Sequence, residues 1–233
     1  MDWNNLYNKL LNFGPFLDHR HEVWLGFLAT IRLSAMAGLL ALVLGTLLAA
    51  MRVSPVPVMR GVATTYVNIL RNTPLTLVLL FCGLGLRDTL GVMATAQPSF
   101  SGYWLSVAGL SAYTAAFVCE TLRSGINTVP LGQAEAARSV GLTFTQSLRL
   151  VILPQSFRAV IAPLGSVLIA MIKNTSVALV AGFFEAAATM KQLFDDVGGT
   201  LPVFLGFAIG YMILTLPTGL FFGWLAKRMA VVR

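Results

Sequence analysis

Four ionisable side chains stand inside long apolar stretches of this chain: Arg32, Arg71, Glu120 and Lys173. Two of them open short polar runs, Arg71-Asn72-Thr73 ahead of Pro74, and Lys173-Asn174-Thr175-Ser176. An ionisable group at mid-bilayer costs about 2.5 to 3.5 kcal/mol on insertion scales, so such groups face a bundle interior or a cavity. Cationic groups and hydroxyls suit a bound carboxylate, and Glu120 suits an ammonium. The same residues also permit a plainer arrangement, in which Arg71, Lys173 and Glu120 neutralise one another and hold helices together. Residue types alone leave both readings open. Arg32, just ahead of the small-residue run Ser34 to Gly38, is read as snorkelling outward.

Other chemistry finds less support. Cys82 and Cys119 each sit in an apolar run, which suits small packing residues better than a disulfide framework or a metal site. His19 and His21 lie in a charged stretch with no second ligand pair nearby, so they are read as solvated. No G-x-x-x-x-G-K-[ST] run occurs, and the apolar stretches hold no His-rich, paired-carboxylate or G-x-S-x-G arrangement. A membrane-embedded enzyme is the weakest class, and no cofactor is expected on this chain.

The elements that must position these residues follow from composition. Hydrophobic residues make up 57% of the 233 and charged residues 11%, with mean hydropathy +0.79, which is outside the range of soluble domains. Five stretches reach the roughly 20 apolar residues that a bilayer crossing requires: 23–51, 61–86, 102–122, 159–183 and 201–226. An all-α membrane protein is therefore expected, with residues 23–228 as one transmembrane domain and 229–233 as a tail. Residues 1–22 place Trp3, Leu6, Leu10 and Phe13 at helical spacing, as an interfacial helix would. The first apolar run is too long for a secretory signal core, so it is expected to be retained.

Lys and Arg set the orientation. With the N-terminus outside, the inner connections hold Arg52, Arg60, Arg123, Arg138, Arg149, Arg158, Lys227, Arg228 and Arg233, against Lys9, Arg20, Arg87 and Lys191 outside. The positive-inside rule favours that arrangement, with a cytoplasmic C-terminus. Net charge +7 is thus a topology signal, and no nucleic-acid partner is implied.

The longest inner loop, 123–158, reads as two short helices. Pro130 suits a first helical turn, Gln133 to Arg138 are mostly strong helix formers, and Gly141 can close the helix in the left-handed conformation. Thr143 and Gln146 have capping-box spacing, and Pro154 is expected to end or kink the second piece. An Ala-rich helix with Glu135 and Arg138 three apart could receive another protein's surface or could pack on its own chain.

The stretch EAARSVGLTFTQSLRLVILP resembles the EAA loop of ATP-binding-cassette importer permeases, E-A-A, three residues, Gly, nine residues, I-x-L-P. Glu135, Ala136, Ala137, Gly141, Leu153 and Pro154 match, and Val151 stands at the Ile position. RNTPLTLVLLF from Arg71, AFVCETLRSGINTVPLGQAEAARSVGL from Ala116 and IKNTSVALVAG from Ile172 resemble permeases of the polar amino-acid uptake family. With MRVSP at Met51 and MILTLP at Met212, the likeness is nearest to the glutamate-uptake permeases of actinobacteria.

That resemblance implies the type I importer permease fold, with five spans, N-terminus outside and C-terminus cytoplasmic, in a bacterial cell membrane. It implies that Gln133, Glu135, Ala136, Ala137, Arg138, Gly141 and Pro154 belong to a coupling helix that docks on a cytoplasmic ATPase dimer. ATP and Mg would be used by that partner and not by this chain. It further implies a second permease subunit, an extracytoplasmic amino-acid-binding protein, and alternating access without covalent chemistry. Arg71, Asn72, Thr73, Glu120, Lys173, Asn174, Thr175 and Ser176 would line the substrate path. Family members often carry Asp at position 174, and a neutral amide there suits glutamate, aspartate or glutamine better than a cationic side chain. The competing class, an ion-coupled secondary transporter or channel, shares the buried charges but has no need of a docking loop, and no convincing inverted repeat is present.

Overall fold

The computed structural model describes residue 10, residues 13–197 and residues 201–229, and all regular structure among them is helical. In chain order the helices are α1 (Gly14–Asp18), α2 (Arg20–Val53), α3 (Pro57–Asn72), α4 (Leu75–Leu80), α5 (Pro98–Asn127), α6 (Leu131–Ser139), α7 (Phe144–Ser147), α8 (Leu153–Asn174), α9 (Ala186–Val197) and α10 (Leu201–Met229). π-Helical stretches follow α4 (Phe81–Thr89) and α7 (Leu148–Ile152), and a 3-10 stretch follows α8 (Thr175–Ala181).

Arg20–Val53, Pro98–Asn127, Thr145–Ala181 and Leu201–Met229 are each long and apolar enough to cross a bilayer. At about 1.5 Å per residue, even the shortest, of 29 residues, outreaches a hydrocarbon core of about 30 Å. The expected span 61–86 is not one continuous helix: α3 and the helix Leu75–Thr89 are together long and apolar enough to cross, but the chain bends between them, as in a broken span or a re-entrant loop. Pro74 lacks an N–H and disfavours helical backbone at Thr73, so α3 stops at Asn72 and a new helix starts after Pro74, whose ψ is 135°. Pro154, by contrast, does not end its helix. It lies in the first turn of α8, where its missing N–H removes little, and the π-helical turn Leu148–Ile152 absorbs the change. The expected connection after residue 183 instead holds α9, which at twelve residues is too short to cross a bilayer. Most of the proposed N-terminal interfacial helix, including Trp3 and Leu6, lies outside the described residues.

The chain forms two compact units. The first takes the chain up to Leu39, Thr73–Ser111 and Ala170–Leu216; the second takes Leu40–Asn72, Ala112–Ile169 and the chain from Pro217. The core of the first gathers Val23, Ala186, Leu193, Val203 and Phe207, with Phe16 edge-on and Phe27 stacked against Phe207, both at 5.7 Å between ring centres.

A buried carboxylate ties this first unit together. Glu185 is fully buried just ahead of α9 and accepts hydrogen bonds from the Tyr211 hydroxyl at 2.6 Å, the Thr30 hydroxyl at 3.1 Å and the N–H groups of Ala187 and Ala188. Burial pushes its carboxyl up from the usual range, opposed first by the Tyr211 hydroxyl and then by the two N–H groups and Thr30. It caps α9 and joins that helix to α2 and α10. Glu185→Ala orphans those donors and is expected to cost about 2 to 4 kcal/mol, read as a lower melting temperature of the purified chain in detergent. A wild-type melting temperature would mean that the carboxylate holds nothing.

The second unit is closely packed through small side chains. Ala49, Ala63, Ala115, Ala116 and Cys119 join Leu48 and Val67 in its core, letting α2, α3 and α5 approach one another. The Tyr66 hydroxyl donates to the Ala112 carbonyl at 2.9 Å across α3 and α5.

Candidate functional site

Three helices of the second unit bring their charges to one point. α2 carries Arg52 and α3 carries Arg71 in their last turns, and α5 presents Glu120 and Arg123 three residues apart on one face. The Glu120 carboxylate pairs with Arg52 through Oε1, with Arg123 at 3.0 Å and with Arg71 at 3.6 Å through Oε2. The Arg71 guanidinium also lies over the Phe117 ring, 5.9 Å from its centre. One carboxylate thus faces three guanidiniums.

Beside this cluster opens a cleft of about 440 Å³. Phe117, Glu120, Thr121, Ser124 and Gly125 line it along α5, recurring every three or four residues as one stripe of the helix, and Thr128 continues the line just past its end. Arg71 lines it from α3, and Ala159, Val160, Pro163 and Val167 from α8. One wall is polar and charged; the opposite wall is apolar. α5 and α8 pack tightly at Gly125, where an added Cβ would stand 2.0 Å from Val160 Cγ1 and 3.1 Å from the Ser156 carbonyl oxygen. Gly125→Leu is therefore expected to force α8 away and cost about 2 to 3 kcal/mol in the melting of the purified chain, whereas Gly125→Ala costs less.

The sequence-predicted substrate residues divide between the units. Arg71 and Glu120 meet in this cleft. Asn72 donates to the Asn68 carbonyl of its own helix at 2.7 Å. Lys173, Asn174, Thr175 and Ser176 belong to the first unit, as does Thr73. There the Thr175 and Ser176 hydroxyls donate to the backbone carbonyls of Ile172 and Lys173, at 2.7 and 2.8 Å, and Lys173 is exposed. Glu120, expected to receive an ammonium, pairs in this structure with Arg52, Arg71 and Arg123, while Lys173, the third member of the expected ion-pair set, lies in the other unit. Sequence reasoning missed Arg52, Arg123, Phe117, Ser124 and Thr128. Four of these lie three, four or eight residues from Glu120, a helical periodicity that could have found them; Arg52, on another helix, left no such mark.

In the same unit, α6 is framed as its residues predict. The Gly141 and Leu142 N–H groups donate to the Arg138 and Ala137 carbonyls at 2.9 and 3.1 Å, the paired closing bonds of a helix end, with Gly141 at φ +84°. Thr143 and Gln146 then exchange bonds: the Thr143 N–H donates to Gln146 Oε1 at 2.9 Å, and the Gln146 N–H to Thr143 Oγ1 at 3.3 Å. Pro130 stands at the cap rather than inside the first turn. Ala137 is buried, while Gln133, Glu135, Ala136 and Arg138 are exposed and Leu131 and Val140 stand out at 81% and 78% exposure. Leu131 opens the helix and Val140 caps its end, so each leaves a large apolar side chain uncovered in this chain.

Apolar spans, a charged cleft within one unit and a rigidly framed exposed helix are the attributes of a multi-pass membrane transport component. Residues 41–231 match the family described as binding-protein-dependent transport system inner membrane component. The chain belongs to that family. It is 50% identical over 211 residues to the glutamate transport system permease protein GluC of Corynebacterium efficiens, covering 88% of this chain and 92% of that one. It is 31% identical to the glutamate/aspartate import permease protein GltJ of Escherichia coli, over 92% and 89% of the two chains. Among solved structures, an amino acid ABC transporter crystallised with histidines superposes with a TM-score of 0.81 at 26% identity, over 94% of this chain and 99% of that one. The MetNI methionine ABC transporter, at 18% identity and a TM-score of 0.66, shares the fold.

Proposed function

We propose that this chain is the permease subunit of an ATP-driven importer of acidic amino acids, with glutamate as the principal solute. The observation that carries this reading is the 50% identity, across nearly the whole of both chains, to a permease named for glutamate transport. The glutamate/aspartate permease supports the same solute class. In this reading the N-terminus faces outside, the C-terminus faces the cytoplasm of a bacterial cell, and α6 is the coupling helix.

A separate ATPase dimer would grip α6 through the exposed Gln133, Glu135, Ala136 and Arg138, with Leu131 and Val140 as apolar contacts. The bonds that close α6 at Gly141 and reopen the chain at Thr143 join it to the helix that runs from Thr145 to Ala181. Movement of the ATPase would therefore reach a span through a few stiff residues. A second permease subunit and an external binding protein would complete the machine. The permease itself would bind no nucleotide.

Co-expression with the candidate ATPase, purification through a tag on this chain, and ATP-driven uptake in proteoliposomes test the proposal. The ATPase should co-purify, and glutamate should be taken up in preference to glutamine, asparagine, arginine and histidine. Uptake by the isolated chain without an ATPase would overturn it.

A further inference from the structure

We propose that the cleft beside Glu120 is an anion subsite on the solute's route, where the Arg71 guanidinium receives the side-chain carboxylate of an acidic amino acid. The proposal rests on the transport reading above and assigns the discriminating contact within it. Glu120 offers one negative charge to Arg52, Arg71 and Arg123, so the cluster carries a surplus of two positive charges. Glu120 grips Arg71 least firmly, at 3.6 Å against 3.0 Å for Arg123. Arg71 is also the most exposed, at 44% of its side chain against 37% for Arg123 and 14% for Arg52, and it alone of the three lines the cleft.

The geometry suits a carboxylate. The Arg71 guanidinium lies over the Phe117 ring, 5.9 Å from its centre, and arginine pairs with carboxylates through two N–H groups at once. Thr121 and Ser124 on α5 and Thr128 just past its end continue the polar wall. The cleft volume of about 440 Å³ falls in the range of small-molecule sites, about 300 to 1,000 Å³. An amide side chain forgoes the charge, and a cationic one meets like charge with Glu120 already occupied. Preference for acidic solutes follows from a surplus of guanidinium within the chain.

The test is equilibrium binding of labelled glutamate and glutamine to the detergent-purified permease and ATPase complex without an external binding protein, so that only the membrane subunits discriminate. Wild type is expected to prefer glutamate. Arg71→Gln is expected to weaken glutamate binding by about tenfold or more while changing glutamine binding by less than about threefold. Arg71→Lys should retain part of the preference. Ser124→Asp, at an exposed position on the same stripe, adds a negative charge and should also weaken glutamate selectively; it keeps the proposal at risk if Arg71→Gln does not fold. Equal losses for both solutes, unchanged glutamate affinity in the folded variants, or no glutamate binding by wild type would overturn it. ATP-driven glutamate uptake by the wild-type complex, measured in parallel, separates the two claims. Uptake without an effect of the cleft variants sinks only the subsite; no uptake of any amino acid sinks the transport reading.

Discussion

Replacing Glu120 with Ala is expected to cost about 3 kcal/mol or more, the largest single loss within the second unit. The carboxylate is 19% exposed and is the only negative partner, among the described residues, of Arg52, Arg71 and Arg123. Removing it leaves three guanidiniums from three helices facing one another with part of their hydration gone, and breaking a largely buried pair costs about 3 to 5 kcal/mol. Arg52→Ala should cost less, because Glu120 keeps two cations. The Glu120→Ala, Arg52→Ala double variant should be more stable than the sum of the single losses predicts, since the second change removes a charge the first left unpaired. Melting of the purified chain in detergent reads all three. A Glu120→Ala protein that melts like wild type would mean that solvent screens the cluster and that it holds nothing together.

The second large effect concerns Gly141 and appears in transport rather than in folding. Its φ of +84° is a conformation that a β-branched residue rarely adopts, and an added Cβ would meet nothing within 4 Å, so any penalty arises in the backbone. Gly141→Val should cost about 1 to 2 kcal/mol locally and undo the bonds to Ala137 and Arg138 that fix the end of α6. In the proposed importer that frees the joint between the ATPase grip and the following span. ATP-driven uptake should fall about tenfold or more while the chain still inserts and the ATPase still hydrolyses. Gly141→Asn, which tolerates the left-handed region, should retain most of the transport. Full-rate uptake by Gly141→Val would remove α6 from the power path.

The two variants also mark how differently the parts of this protein were legible. The frame of α6 was written within a dozen residues: a glycine able to turn left, a Thr and Gln three apart, and helix formers ahead of them. Those interactions are local, and the structure contains each of them. The four unbroken spans were equally visible as apolar runs. Pro74 was visible as a helix breaker, but the apolar run across it reached the length of a span, and chain composition carries no information about the angle at the break. α9 was missed because twelve amphipathic residues do not make a span.

Sequence alone determined the all-helical membrane class, the positions of the apolar runs, the local frame of α6, and, through resemblance, the family. Those properties depend on hydropathy and on backbone preferences that act within a few residues. Tertiary structure decided which of the arginines share Glu120, that Lys173 belongs to a different unit, that Glu185 binds three helices, and that α5 and α8 touch at Gly125. Each of these depends on helices meeting at particular heights and rotations, which small residues such as Ala115, Ala116 and Gly125 permit. An ion pair between residues far apart in the chain leaves no periodic trace in the sequence.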